Sequence, residues 1–270
     1  MIARASCTDT YFRSQRPRRI LCAWPYAPLT EDQMRLDNWL TPGVFVIALA
    51  LAVAAAGALS RGQDHGPFTL RSLYGFERTT SLRAPQTAVV LVDFQNEFAT
   101  GRLPLPDVRA AANRAVELAA WARRSGILVV FIQNVASRPA SPVFAAESKG
   151  TAFLPELEPH PGDFVLQKSM VGGFSRTKLD AELRARGIDT LIIGGFMTHL
   201  AVFSTASDAT VLGYRVIVAA DATATRALPG VAGQGAVDST TLQRAALDAM
   251  ADRIAEVVLG RSIMALPVAR

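Results

Sequence analysis

Short apolar runs recur along this chain from residue 87 onward, most of them followed by a stretch with helical spacing. Thr87-Ala88-Val89-Val90-Leu91-Val92-Asp93 is a near-continuous apolar strand, suited to the middle of a parallel sheet. Ile127 to Ile132 is the second such run, and Phe164-Val165-Leu166 begins a third that ends at Lys168. Leu191 to Ile193, with Ile188 just upstream, is the fourth, Val216 to Ala220 the fifth, and Ala255 to Leu259 a short last strand. Between them, apolar residues recur at helical spacing at Val108, Ala111, Ala112, Ala115, Leu118, Ala119 and Ala122. Asp107 stands as the cap of that helix and Ser125-Gly126 as its end. Further helices are predicted from about Thr177 to Arg186 and from His199 to Leu212, and a last one is opened by the capping box Thr240-Thr241-Leu242-Gln243. Alternating strands and helices imply an α/β fold, an open and mostly parallel sheet covered by helices on both faces.

The stretch 189–202 organises the rest. It reads as a buried strand, a glycine turn at Gly194-Gly195, and a helix whose N-cap is Thr198. A following strand at 216–220, ending at Asp221, completes a βαβ unit, whose turn lies at the carboxyl edge of the sheet. The first residues of such a helix present backbone N–H groups able to hold an oxyanion or carboxylate. Asp93 and Lys168 also fall at carboxyl ends of strands, so three distant segments can converge on one edge. The residue standing where a nucleophile would be presented is Ala201. Ser204 and Thr205 lie about one turn further on, too far along to replace it.

Composition narrows the function classes. Of 28 basic and 23 acidic residues, six and four fall in residues 1–60, leaving 22 against 19 with no basic stripe. Nucleic acid is therefore not an expected partner. The two cysteines, Cys7 and Cys22, both precede residue 60, so no disulfide framework or thiolate zinc site can form beyond it. Residues 1–42 read as a disordered or untranslated leader, with Met34 a more conventional start. Residues 43–60 form an apolar run followed by Ala56-Gly57-Ala58, which reads as a signal peptide or an uncleaved membrane anchor, with a buried helix as the third possibility. Either membrane reading exports the domain, which is then periplasmic or membrane-anchored facing outward, because positive charges precede the run. Membrane contact is expected only through 43–60. Residues 61–86 read as a linker, and 134–162 as a long loop whose length suggests function.

The motifs Leu91-Val92-Asp93-Phe94-Gln95-Asn96-Glu97-Phe98, Lys168 with Phe174-Ser175-Arg176-Thr177-Lys178-Leu179, and Gly195-Phe196-Met197-Thr198-His199-Leu200-Ala201-Val202 with Thr205-Ala206-Ser207-Asp208-Ala209 occur in this order. Together they resemble the isochorismatase-like hydrolases, also called the cysteine hydrolase superfamily, over about residues 70–260, with the hydrolase domain at 87–262. The resemblance implies a three-layer α/β/α sandwich with a mostly parallel, Rossmann-like sheet and a triad of Asp, Lys and Cys. Asp93 is then the general base, Lys168 stabilises charge beside it, and the nucleophile belongs at Ala201, a residue without a nucleophilic atom. The family's cis peptide would map to Phe196-Met197, and Asn134, Phe174, Phe196, Met197, Thr198 and His199 are the implied substrate or oxyanion residues. No cofactor is implied and no metal, since the Asp/His cluster of the nicotinamidase branch is absent and only His65, His160 and His199 occur. A small-molecule substrate and a homodimer or homotetramer are expected. Two functions fit the alanine. One is vinyl-ether hydrolysis of a small carboxylate-bearing substrate, with Asp93 as general acid, Lys168 near the substrate carboxylates and Ala201 leaving room; in that branch Asn134 stands where a glutamine is expected. The other is a catalytically inactive relative that binds a small amide or carboxylate.

Overall fold

A computed structural model describes residues 67–270 of the chain. The leader 1–42, the apolar run 43–60 and the first residues of the linker lie outside the described residues. Strands β2 (Thr87–Val92), β3 (Leu128–Asn134), β4 (Phe164–Lys168), β5 (Thr190–Phe196), β6 (Arg215–Ala224) and β7 (Glu256–Val258) form one sheet in the order β4-β3-β2-β5-β6-β7. All five pairings are parallel. The chain builds outward from β2 through β3 to β4, then returns to the other side of β2 to lay down β5. The strand order thus reverses between β2 and β5, where an open α/β sheet forms its crevice.

Alternation along each strand divides the core in two. Val89, Leu91, Val129, Phe131 and Ile192 face helix α2 (Val108–Arg124), whose Ala111, Ala112, Ala115, Leu118, Ala119 and Ala122 are buried against them. Ala88, Val90, Val92, Val130, Ile132, Leu191 and Ile193 face the other way, onto α3 (Leu179–Ala185) and α4 (Phe203–Val211). The predicted period of α2 is the observed buried stripe, and the molecule is the expected three-layer α/β/α sandwich with a mostly parallel sheet. Asp107 occupies the N-cap position of α2, yet its side chain makes no capping bond.

Three local expectations differ from the structure. Strand β6 runs past Asp221 to Ala224, because an irregularity in its pairing with β5 shifts the register from Ile193↔Val218 to Gly195↔Thr223. Asp221 is a mid-strand residue whose Oδ1 accepts from Gly260 N–H (2.6 Å), at the start of α6 (Gly260–Met264). The helix expected from His199 begins instead as a π-helical turn, Thr198–Val202, and only then becomes α4. Helix α5 (Ser239–Ala249) is capped by Asp238, which accepts from Thr241 N–H, so Gln243 is released from the capping box for another task.

Residues 67–86, within the segment read as a linker, contribute helix α1 (Leu70–Leu73) and strand β1 (Leu82–Arg83), which pairs in parallel with β8 (Val268–Ala269). Leu82 and Ala84 are buried in the core on the α2 side. Among the described residues no helix is long and apolar enough to cross a membrane.

Candidate active site

Asp93 follows the last residue of β2 with φ at +57°, a left-handed conformation that aspartate tolerates better than most side chains. That turn is held by its own N–H, which donates to the Ile132 carbonyl (2.9 Å). Lys168, the last residue of β4, reaches over the end of β3 and sets Nζ 2.7 Å from Asp93 Oδ2. Both side chains are almost sealed, 1% and 3% exposed. Lys168 Nζ also donates to the Met170 carbonyl (3.2 Å). Asp93 Oδ1 is buried and has no hydrogen-bond partner among the described residues. Burial pushes the Asp93 carboxyl up to about 6, against the pull of the Lys168 charge and hydrogen bond. The group therefore combines an ion-paired oxygen with a free one, and takes up a proton near neutrality.

The second wall is the turn after β5. At Gly195 φ is +152°, and a Cβ there would lie 2.3 Å from the Val92 carbonyl oxygen, so the close approach of β5 to β2 requires glycine. The Phe196–Met197 peptide is cis, at the position expected from the resemblance. Phe196 points into the core, its ring 4.6 Å from Phe94 and 5.7 Å from Phe98, and Met197 is buried in the same cluster. What these two can offer a ligand is backbone rather than side chain. Thr198 is not a side-chain N-cap. Its hydroxyl donates to Gln243 Oε1 (2.7 Å), while Gln243 Nε2 donates to Thr223 Oγ1 (2.8 Å), so α5 pins the turn to the end of β6.

Ala201 is 6% exposed within the π-helical turn, where Val202 N–H bonds back to the Met197 carbonyl (3.2 Å). The Ala201 carbonyl accepts from Thr205 Oγ1 (2.6 Å), and that hydroxyl accepts in turn from Gly173 N–H (2.9 Å). Thr205 is thus committed to structure. His199 Nδ1 pairs with Thr225 Oγ1, and burial, with Arg226 nearby, holds the imidazole below its usual pKa.

The structure brings Asp93 and Lys168 into contact and sets Phe196 to Ala201 at the end of β5, beside the end of β2. Asn134 lies at the end of β3, and its backbone is clamped by Gln95, which accepts from Asn134 N–H (2.8 Å) and donates to its carbonyl (2.8 Å). Phe174 follows Gly173, whose N–H is bonded to Thr205, and its ring lies 5.8 Å from that of Tyr214, the residue preceding β6. Gln95, Gln243, Thr225 and Arg226 belong to the site's framework but were not among the candidates. Gln95 sits two residues after Asp93 in a motif already singled out, whereas the other three depend on tertiary contacts. Among the described residues no group of three or more His, Cys, Asp or Glu side chains could hold a metal ion.

The isochorismatase domain matches residues 87–262. A secreted isochorismatase effector of Verticillium dahliae is 30% identical over 196 residues, 72% of this chain and 98% of its own. The ureidoacrylate amidohydrolase of Methylorubrum extorquens is 36% identical over 206 residues, covering 64% of this chain and 82% of its own. Among solved structures, an isochorismatase from Pseudomonas putida KT2440 superposes with a TM-score of 0.67 at 29% identity, covering 73% of this chain and 99% of that one. An N-carbamoylsarcosine amidase from Thermoplasma acidophilum does so with a TM-score of 0.56 at 32% identity, covering 65% and 96%. A single fold therefore carries several hydrolytic chemistries among its relatives, and this chain belongs to the isochorismatase family of hydrolases.

Proposed function

We propose that this family member hydrolyses a vinyl ether of a small carboxylate-bearing substrate, with Asp93 as general acid and no covalent intermediate. The observation that carries this reading is the pairing of Ala201, which cannot attack a carbonyl, with a buried carboxyl lifted to about 6. Protonated Asp93 delivers its proton to the terminal carbon of the enol ether. The resulting oxocarbenium ion takes up water, which returns a proton to Asp93. The hemiketal then collapses, breaking the bond to the ether oxygen, which leaves as an alcohol, and forming a keto acid. Lys168 supports the carboxylate that exists between the two proton transfers. A relative that binds without turnover is the second reading, favoured by how little of Asp93 and Lys168 is exposed.

The test pairs a pyruvate-release assay on isochorismate with mass spectrometry of the protein after exposure to a panel of small amides. Wild type should release pyruvate and carry no adduct. Ala201→Cys should lose pyruvate release as the thiol fills the space, and should gain a thiol alkylated near neutral pH. Absence of pyruvate, or a covalent substrate adduct on wild type, would overturn the proposal.

We further propose that the domain acts outside the cytoplasm, supported by the charge-then-apolar order of residues 35–58. Cell fractionation should recover the domain in the periplasm or on the membrane; full-length soluble protein in the cytoplasm would reject export.

A further inference from the structure

Arg215 opens β6 and Glu256 opens β7, so both stand at the amino edge of the sheet, opposite the edge that holds Asp93. Beside them lies the segment 68–76, whose Arg71 and Phe76 line one cavity with Arg215 and Arg253. This segment exposes Phe68, Leu73, Tyr74 and Phe76, by 46 to 67% of their surface. The rings are held in place. Tyr74 and Phe76 meet edge to face with centroids 6.4 Å apart, and the Arg253 guanidinium lies 5.3 and 4.8 Å from the two centres. Arg71 stacks on Phe76 at 5.1 Å, and α1 is fixed by the reciprocal capping of Thr69 and Ser72. Four large apolar side chains grouped in water and kept from collapsing onto the core mark a surface that something else covers.

The same patch is basic. Among the described residues none of Arg71, Arg215 and Arg253 forms an ion pair. Burial pulls the Arg71 guanidinium below its usual pKa; Glu256 opposes this, while Arg253 and Arg215 add to it. The nearby carboxylates Asp252 and Glu256 accept from the Leu70 and Thr79 N–H groups, and Glu77 is exposed on the segment itself. Amphipathic rings interleaved with cations suit the headgroup layer of an anionic bilayer. A second copy packed by two-fold symmetry would set the arginines against themselves. Chain length also favours lipid. Residues 61–67, which separate the apolar run 43–60 from Phe68, reach at most roughly 25 Å when fully extended.

We propose that this patch of rings and arginines docks on an anionic phospholipid surface, which leaves the edge of the sheet with Asp93 turned away from the membrane. The proposal rests on the reading of 43–60 as the segment that brings the domain to a membrane. Amide hydrogen exchange tests it on the full chain in vesicles of phosphatidylcholine, alone or mixed with phosphatidylglycerol. Exchange over 68–76 should be at least about fivefold slower in the mixed vesicles, the effect of one basic residue at a charged surface. Arg215→Gln, outside the stacked rings, should cut that difference about fivefold. Leu73→Ser, also exposed and outside the stack, should speed exchange in both lipids. Slowing in mixed vesicles by a protein that fractionates to the cytoplasm would sink export and leave docking standing. Equal exchange in the two lipids, or no response to either substitution, would overturn the proposal. So would slowing that follows protein density in the bilayer rather than phosphatidylglycerol content, since the patch would then belong to a second copy.

Discussion

At the scale of single residues, the chemistry turns on the protonation of Asp93. Its folded pKa, about 6, exceeds the ordinary value of 3.8 because burial outweighs the favourable charge of Lys168. A general acid must be protonated, so kcat/KM for enol-ether cleavage should be level below about pH 6 and fall about tenfold per unit above it. A general base would give the opposite slope, and a rate that rises through pH 6 would remove Asp93 from the acid role. The same shift sets a sign for stability. Between about pH 4 and 6 the native state holds a proton that the unfolded chain has lost, so this group's contribution weakens the fold as pH rises through that window. Asp93 and Lys168 were legible in the sequence because each closes an apolar run, and the alanine at 201 was legible once its motif was recognised. Arg226 was not, because the strand before it was read as ending at Asp221.

At the scale of elements, the turn between β5 and α4 is the part least tolerant of change. Gly195 carries both a backbone conformation that favours glycine and a contact with Val92 that leaves no room for a methyl. Gly195→Ala should therefore cost at least about 2 kcal/mol in urea unfolding, the range of strain and overpacking at a special backbone position. Gly194→Ala, whose added carbon would meet Ala222 Cβ at 3.1 Å, should cost less, because φ there lies outside the glycine-favouring range. Equal stability of Gly195→Ala and wild type would show that β5 can move away from β2. The glycine pair was readable as a turn signal. That Gln243 of α5 would hold Thr198 in place was not, since a glutamine three residues after a threonine reads equally well as a local capping box.

At the scale of the whole described domain, the segment before β2 closes the molecule. Leu82 pairs with Val268, Thr79 N–H donates to Glu256 Oε2 (2.9 Å), and Leu70 N–H donates to Asp252 Oδ1 (2.8 Å). Each bond ties residues 67–86 to the last part of the chain. A chain beginning at Thr87 keeps the whole region matched by the family but loses the burial of Leu82 and Ala84 and the partner of β8. It should be about 2–4 kcal/mol less stable in denaturant than one beginning at residue 67, from the lost apolar burial and backbone pairing. Indistinguishable unfolding curves would make this segment a linker in function as well as in composition.

The sequence by itself determined the six strands of the main sheet and the larger helices between them, though not all their ends, which face of α2 is buried, and that Lys168 ends one strand of a parallel sheet and Asp93 follows another. These follow from apolar periodicity, a local property that backbone geometry converts directly into faces and edges. It also determined that position 201 carries no nucleophile. Only the tertiary structure decided what those residues touch. The 2.7 Å ion pair joins segments 75 positions apart across an intervening strand, and burial there, rather than residue type, lifts the Asp93 carboxyl. The irregularity in β6 carries Thr225 beside His199, and the chain after β4 brings Gly173 onto Thr205. Long-range pairing, register shifts and desolvation depend on neighbours distant in sequence, and no local pattern encodes them.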